Sequence, residues 1–122
     1  MSIRSDLVME YYHRIDALDI DWVMALFCDD ACYRRAGAVY DGKAAIERFF
    51  REERKINGSH DIATIVDDGD QRLVVICGRF TGEGEAGDRR AVEFADFWTF
   101  DDAAKVRLRR GYLAVGHELV AR

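Results

Sequence analysis

The sequence contains no proline, no low-complexity stretch and no internal repeat. Because linkers between domains are typically rich in proline or of low complexity, we place no domain boundary within the chain. No apolar run approaches the roughly 20 residues that a membrane-spanning helix requires, so no membrane partner is expected. The 122 residues correspond to one domain of ordinary size.

Positive charge is in the minority. The chain has 18 Lys and Arg residues against 23 Asp and Glu residues, which gives a formal net charge of −5. An acidic chain is a poor electrostatic partner for nucleic-acid phosphates, so no nucleic acid is expected as a partner. Basic residues are dense only between Lys105 and Arg110, where apolar residues alternate with them as in a strand.

Cysteine and histidine are also scarce, with three of each. The odd number of cysteines, and an N-terminus unlike a secretion signal, predict a reducing, cytoplasmic location with small buried thiols. The histidines show no spacing typical of metal ligands, so we expect no metal. They are His13, His60 and His117.

The first half of the chain has helical periodicity, and we predict three helices there. The apolar stripe of the first helix consists of Ile3, Leu7, Tyr11, Ile15 and Leu18. Because Tyr11 and Tyr12 are adjacent, this stripe directs only Tyr11 inward. Ser2 or Ser5 is the expected cap of the first helix, and Asp19 or Asp21 that of the second. The third helix follows the turn signal Asp41-Gly42.

The second half changes to the alternating pattern of strands. We predict strands at 59–67, 72–81, 90–100 and 105–115, separated by short turns, and a shorter strand at 31–35. Short turns between successive strands require antiparallel neighbours. Helices followed by such a meander predict an α+β fold with the helices on one face of the sheet.

Asp96 is the residue that points to function. Side chains alternate between the two faces of a strand, which places Asp96 among large apolar residues: Val92, Phe94, Trp98 and Phe100. A buried carboxylate either pairs with a cation or stays protonated, and a protonated acid in an apolar pocket is a hydrogen-bond donor and general acid. The candidate ion-pair partners are Arg79, Arg109 and Arg110. The pattern leaves both alternatives open.

The opposite face of the same strand also carries an apolar residue, Phe97. Sheets with apolar residues on both faces usually have both faces covered, and three helices cover only one. A homodimer through the outer sheet face is therefore expected, because two-fold dimers are the commonest solution.

The chain resembles the nuclear transport factor 2-like superfamily, and within it the SnoaL-like polyketide cyclases and the ketosteroid isomerases. The segments that carry the resemblance are 11–31, 41–50, 92–100 and 106–112, and their order covers essentially the whole chain. The resemblance implies a single SnoaL-like domain over residues 1–122. It also implies a cone-shaped, curved antiparallel or mixed sheet that wraps around the three helices and encloses an apolar pocket.

In ketosteroid isomerases a helix tyrosine and a protonated aspartic acid form the oxyanion hole, and a second aspartate is the base. The resemblance places the tyrosine at Tyr11, the acid at Asp96 and the base near Arg35. Arginine has no acceptor lone pair, so ordinary steroid isomerisation is not expected. His60 is the alternative base if it lies at the pocket rim, although a half-exposed histidine at a strand end is the simpler interpretation.

Two functions remain from these residues. The first is a cofactor-independent isomerase or cyclase acting on a small hydrophobic carbonyl compound, polyketide- or steroid-like. The second is a non-catalytic module that binds a small ligand or a second copy. For either function we predict a pocket wall made of Phe27, Phe50, Ile62, Phe94 and Trp98.

Overall fold

The first two helices begin where side chains cap them. The computed structural model describes residues 2–115. Helix α1 (Ile3–Asp16) follows Ser2, whose hydroxyl accepts from the Ser5 backbone N–H at 3.1 Å. Helix α2 (Ile20–Leu26) follows Asp19, which accepts from the Trp22 backbone N–H at 3.3 Å. Each cap is one of the two candidates that the sequence offered.

Helix α3 (Lys43–Arg48) is short and ends in an unusual turn. It begins after Gly42, which has a φ of 90° that suits a residue without a side chain. It continues as a π-helical turn (Phe49–Glu53), which widens the helix locally before the chain reaches Arg54.

Six strands form one sheet. Their bounds are β1 (Phe27–Arg35), β2 (Ala38–Asp41), β3 (Ile56–Asp68), β4 (Leu73–Gly84), β5 (Arg89–Phe100) and β6 (Val106–Ala114). The spatial order is β2-β1-β6-β5-β4-β3, and every neighbouring pair is antiparallel except β1 and β6, which are parallel. The predicted α+β class with a curved mixed sheet around three helices is confirmed, and the sheet does not close into a barrel.

Strands β3 and β4 extend beyond their predicted ends because two glycines lie opposite each other. Gly58 pairs with Gly82, and a Cβ on Gly58 would stand 2.2 Å from the Thr81 carbonyl oxygen. The backbones approach so closely that only glycine fits, so a glycine-rich segment that resembles a turn is in fact strand. His60 is consequently inside β3 and not at its start. Strand β2 was not predicted.

The buried face of α1 differs from the predicted stripe. Its buried apolar residues are Val8, Tyr11, Tyr12 and Ile15. Ile3 and Leu18 are 65% and 51% exposed, so their assignment to the stripe was wrong. Because α1 packs against α2, β3 and β4 at once, it is covered over an arc wide enough for two adjacent tyrosines.

The inner face of the sheet was predicted correctly on β5. Phe94, Asp96, Trp98 and Phe100 are all buried under the helices. Within the described residues, no helix combines the length and the apolar character that crossing a bilayer requires. His117 lies outside the described residues.

Candidate functional site

A cavity of about 800 Å³ lies between the inner face of the sheet, α1 and the π-helical turn. Three candidate site residues, Tyr11, His60 and Asp96, line it together. Aromatic rings of β1 and the π-helical turn form part of its wall: Tyr33 stacks on Phe50 at a centroid distance of 6.1 Å, and Phe49 meets both rings edge-on. Charged side chains also line the cavity, so its lining is not purely apolar.

Two rows of residues across the strands form its floor. Tyr33, Arg109 and Trp98 are register partners on β1, β6 and β5, and Arg35, Gly111 and Asp96 form the equivalent row two residues further along β6. Residues two apart on a strand point to the same face. The register therefore brings these side chains to the inner face, beneath α1.

Asp96 forms an ion pair with Arg109. The Arg109 Nη2 group donates to Asp96 Oδ2 at 2.9 Å, and each side chain is only 6% exposed. Of the three arginines considered from sequence, Arg109 is the partner. Arg79 is exposed on β4, and Arg110 lies over the Phe97 ring.

The guanidinium of Arg109 is enclosed by aromatic rings. Its Cζ atom stands 4.4 Å from the Trp98 ring centroid, 4.6 Å from Tyr33 and 4.7 Å from Tyr11. Burial alone would lower the pKa of Arg109, but the Asp96 carboxylate and the tyrosines outweigh it and hold that pKa well above its ordinary value. The arginine therefore stays charged and keeps its hydrogen bonds.

Tyr12, and not Tyr11, is hydrogen-bonded to Asp96. The Tyr12 hydroxyl donates to Asp96 Oδ2 at 2.5 Å and accepts from Trp98 Nε1 at 3.2 Å. Burial and the negative charge of Asp96 raise the pKa of Tyr12 well above its ordinary value. The expectation that only one of the two tyrosines points inward was wrong. With its proton and its acceptor site both used, Tyr12 has a supporting role.

Tyr11 has a different partner. Its hydroxyl oxygen accepts from Arg109 Nη1 at 2.6 Å, which leaves its own proton free for another acceptor. Burial raises the pKa of Tyr11, and Arg109 opposes that rise only in part. Tyr11 is thus a neutral phenol that lines the cavity and has a hydrogen bond to give.

His60 is held by a carboxylate that was not anticipated. Its Nδ1 atom lies 2.5 Å from Asp16 Oδ1, and its backbone N–H donates to Asp16 Oδ2 at 2.9 Å. The side chain is 11% exposed and packs on Tyr12, Phe80 and Phe94. The interpretation as a half-exposed strand-end histidine was therefore wrong.

The pKa of His60 is lowered, chiefly because burial disfavours the imidazolium, while Asp16 acts in the opposite direction. The neutral ring then carries its proton on Nδ1, where Asp16 accepts it. No hydrogen bond within residues 2–115 uses Nε2, which leaves its lone pair free on a residue that lines the cavity.

Gly111 leaves a notch above Asp96. A Cβ at this position would stand 3.0 Å from Asp96 Oδ1 and 3.8 Å from Arg35 Cβ. Both hydrogen bonds to Asp96 use Oδ2, and none within the described chain uses Oδ1. A glycine here keeps the second carboxylate oxygen uncovered at the floor of the cavity.

Two of the five residues predicted for the pocket wall line the cavity. Phe50 and Phe94 line the cavity, whereas Trp98 and Phe27 are fully buried behind it and Ile62 packs against the core elsewhere. Trp98 and Phe27 were misassigned because periodicity gives the face of a strand but not the depth at which the cavity ends. The role of each lining residue in binding stays a prediction.

Sequence reasoning missed Asp16, Tyr12 and Gly111. A signal existed for the first two, because residues four apart share a helix face, and Tyr12 and Asp16 are so spaced. No local pattern marks Gly111, since its role depends on pairing with strands that are distant in sequence.

The arrangement of helices, sheet and cavity has known relatives. The family model of the SnoaL-like domain matches residues 8–108. The chain belongs to the SnoaL-like family. The segments that first suggested the resemblance lie largely within this match, so that assignment is confirmed. The sequence matches no curated protein.

Several solved structures share the SnoaL-like fold. An NTF2-like protein of unknown function from Burkholderia pseudomallei superposes with a TM-score of 0.82 at 17% identity, over 93% of this chain and 92% of that one. The epoxide hydrolase/cyclase-like enzyme SalBIII, with a role in pyran ring formation in the polyether salinomycin, gives a TM-score of 0.82 at 18% identity, over 92% and 91%. An LEH-like epoxide hydrolase from M. tuberculosis gives 0.77 at 20% identity, over 88% and 80%. Identities this low establish the fold alone.

Proposed function

We propose that this SnoaL-like protein is a cofactor-independent enzyme that transfers a proton on a small hydrophobic carbonyl compound, in an isomerisation or an aldol-type cyclisation. One observation carries the proposal. A carboxylate-held histidine and a tyrosine with a free hydroxyl proton line the same cavity: His60, bonded to Asp16, and Tyr11, bonded to Arg109. A base and an oxyanion donor are the two groups that enolisation needs.

His60 is the base in this proposal. Burial lowers the pKa of His60, so the imidazole is neutral at pH 7 and its Nε2 lone pair is available. Asp16 fixes the tautomer and the ring orientation, and stabilises the imidazolium once it forms.

Tyr11 is the oxyanion donor. In the proposed step, His60 Nε2 takes a proton from the carbon next to the substrate carbonyl, and the electron pair of the broken C–H bond moves to the carbonyl oxygen. The Tyr11 hydroxyl donates to that developing oxyanion, and Arg109 makes it a stronger donor by pairing with its oxygen. In an isomerisation the substrate carries a neighbouring C=C bond, so the conjugated enolate takes the proton back from the His60 imidazolium at its γ-carbon and the double bond shifts. In a cyclisation the α-carbon attacks a second carbonyl carbon, the π electrons of that carbonyl move to its oxygen, and the resulting alkoxide takes the proton from the His60 imidazolium.

Asp96 takes part in two ways. Its Oδ2 atom fixes Arg109, and through it the position of Tyr11. Its uncovered Oδ1 atom offers a second proton acceptor at the cavity floor. This division lets the same carboxylate be both an ion-pair partner and an acid–base group.

The test uses 2-tetralone, an apolar bicyclic ketone with acidic α-hydrogens, as a probe. NMR in D₂O measures how fast these hydrogens exchange, with and without protein. We expect the protein to accelerate exchange, His60→Gln to reduce the acceleration roughly 100-fold or more, and Tyr11→Phe to do likewise.

Tyr40→Phe is the matched control for the tyrosine. It also removes one phenolic hydroxyl, but that hydroxyl donates to Glu53 at 3.0 Å and belongs to a residue outside the cavity lining. The Tyr40→Phe variant should accelerate exchange of the α-hydrogens of 2-tetralone as much as the unaltered protein does. Equal rates for His60→Gln, Tyr11→Phe and Tyr40→Phe would refute the assignment of base and donor.

The alternative is a non-catalytic ligand-binding module. Arg35 favours it, because an arginine stands where the resembled isomerases carry their base and it lines the cavity here. Saturable binding of 2-tetralone without any exchange above buffer would support this alternative.

We also propose a homodimer through the outer face of the sheet. Phe97 of β5 packs edge-on against Tyr112 of β6 at 5.7 Å, and Tyr112 is still 52% exposed. Such a surface gains from a second copy that covers it. Light scattering at micromolar concentration should give twice the chain's mass of 14.0 kDa, and a monomer would exclude the dimer.

Cysteine chemistry supports a cytoplasmic location. Cys28, Cys32 and Cys77 are free thiols, and all three are only half-buried. Thiols of this kind persist in a reducing compartment. Alkylation of all three in freshly lysed cells, without prior reduction, would test the proposal; blocked thiols would contradict it.

A further inference from the structure

The cavity is lined by more positive than negative side chains, although the chain as a whole is acidic at −5. The lining includes five cationic side chains and three carboxylates. The cations are Arg35, Arg54, Lys55, Arg90 and Arg109, and the carboxylates are Glu53, Glu85 and Asp96. Since the sign is opposite to that of the whole molecule, it is a local property of the cavity.

After ion pairing within the described chain, the unpaired lining residues are three cations, Arg35, Arg54 and Lys55, and two carboxylates. Arg109 is neutralised by Asp96, and Arg90 pairs with Asp88 at the exposed hairpin. Glu53 is exposed and accepts from Tyr40, and Glu85 is exposed as well. Among residues 2–115, no carboxylate lies within ion-pair distance of Arg35 or Arg54.

Arg54 is the more enclosed of these two arginines. It follows the π-helical turn, and its only side-chain hydrogen bond in the described chain is a long one, 3.5 Å, to the Ile56 carbonyl oxygen. Burial, together with the nearby charge of Arg109, lowers the pKa of Arg54, whereas Tyr11 raises it. A half-buried guanidinium with so few partners has lost part of its hydration without full compensation.

Arg54 is also close to the proposed catalytic groups. Its charge lowers the pKa of Tyr11 and of His60, and all three residues line the same cavity. Arg35 stands over the Phe49 ring at 5.0 Å, in the inner-face row that it shares with Gly111 and Asp96. Aromatic rings of Tyr33, Phe49 and Phe50 line the same cavity and supply its apolar wall.

We propose that the ligand of this cavity is a small organic acid: a planar apolar body that packs on the aromatic wall and a carboxylate that Arg54 binds, with Arg35 as second contact. Guanidinium groups match carboxylates geometrically, and the aromatic rings supply apolar area. The proposal rests on the proposed function for its cavity and narrows the substrate to a carbonyl compound that also carries an acid group.

The test compares two probes of equal size by isothermal titration calorimetry. They are 1-naphthoate, which carries a carboxylate, and 1-naphthamide, its neutral counterpart. The unaltered protein should bind 1-naphthoate at least tenfold more tightly, because hydrogen bonds to a charged group are the stronger ones. Arg54→Gln should weaken the affinity for 1-naphthoate at least tenfold and leave the affinity for 1-naphthamide unchanged. Arg54→Lys should retain part of the preference for 1-naphthoate over 1-naphthamide.

Arg90→Gln is the matched control. It removes the same charge from the lining of the same cavity, but from an exposed residue that is already paired with Asp88. It should keep the preference for 1-naphthoate. Circular dichroism of each variant reports whether it is folded, and retained 1-naphthamide binding shows that the cavity is intact.

Several outcomes would overturn the proposal. The proposal would be refuted if the two probes bound with equal affinity, or if 1-naphthoate did not bind at millimolar concentration. It would also be refuted if Arg90→Gln lost as much 1-naphthoate affinity as Arg54→Gln. Inorganic phosphate that displaces 1-naphthoate with equal affinity would also refute it, since the arginines would then be a phosphate site. These results are distinct from failure of the proposed function, which is read from 2-tetralone exchange and requires no charge preference.

Discussion

Replacing Arg109 by methionine should destabilise the protein severely, because the buried carboxyl group of Asp96 would lose its cationic partner. Both side chains are 6% exposed and their contact is 2.9 Å, so this is a buried pair with little access to water. Breaking such a pair from one side costs about 3–5 kcal/mol. Loss of the Tyr11 hydrogen bond and of three aromatic contacts adds to that cost.

Urea unfolding followed by tryptophan fluorescence measures this cost. With an m-value of about 2 kcal/mol per M urea, the unfolding midpoint should fall by about 2 M. Arg110→Met is the matched control, since Arg110 is the next residue on β6, faces the other side and stands over Phe97 without an ion pair among residues 2–115. It should cost less than about 1 kcal/mol.

A double variant separates the charge from the packing. Asp96→Leu combined with Arg109→Met removes both charges and fills the space with apolar atoms, and replacement of a buried pair in this way is often neutral or stabilising by about 1–4 kcal/mol. It should therefore recover most of the stability that Arg109→Met loses. If Arg109→Met costs no more than Arg110→Met, or if the double variant is less stable than Arg109→Met, the pair is not the buried, desolvated contact described above.

Three further predictions concern the surroundings of this pair. Tyr12→Phe should cost about 1–3 kcal/mol in urea unfolding, because Asp96 loses a hydrogen bond in a buried setting; 2-tetralone binding, read by calorimetry, should be unchanged, and a loss of binding would assign Tyr12 to the cavity. Gly111→Ala should lower the free energy of unfolding by about 1–3 kcal/mol, because the added methyl group crowds Asp96 Oδ1. It should also weaken 2-tetralone binding, and an unchanged affinity would show that the ligand does not use the space beside Gly111. The free energy of unfolding should fall as the pH drops below about 6.5. The reason is that burial lowers the pKa of His60 in the folded state, so the unfolded histidine takes up a proton that the folded one does not. In His60→Gln this part of the pH dependence of stability should vanish, and an unchanged pH dependence would contradict the lowered pKa of His60.

The fold was predictable because its signals are periodic. The alternation in β5 identified the inner face correctly, and the caps Ser2 and Asp19 were among the predicted candidates. Strand ends were less predictable, since Gly58 and Gly82 belong to a sheet only because each faces the other. A local window shows Asn57-Gly58 or Gly82-Glu83-Gly84 without the facing strand, and such pairs and clusters indicate turns.

The site was predictable only as separate residues. Tyr11, His60 and Asp96 do line one cavity, and each was chosen for its chemistry or from the resemblance. Arg109 was one of three candidate partners of Asp96, but the other contacts were not predictable, because they join residues 44 to 98 positions apart along the chain. Which of two adjacent tyrosines bonds to Asp96 depends on the rotation of α1 against the sheet, and hydrophobic periodicity does not resolve a rotation of one residue.

Of the two alternatives for Asp96, the structure shows the ion pair. An arginine does hold this carboxylate, as a purely structural pair requires, yet a cavity also reaches it. The two roles use different oxygen atoms: Oδ2 accepts from Arg109 and Tyr12, and Oδ1 faces the notch at Gly111. Gly111→Ala is therefore the substitution that tests whether Asp96 takes part in the proposed chemistry, because the added methyl group would cover Oδ1 while Arg109 stays bonded to Oδ2.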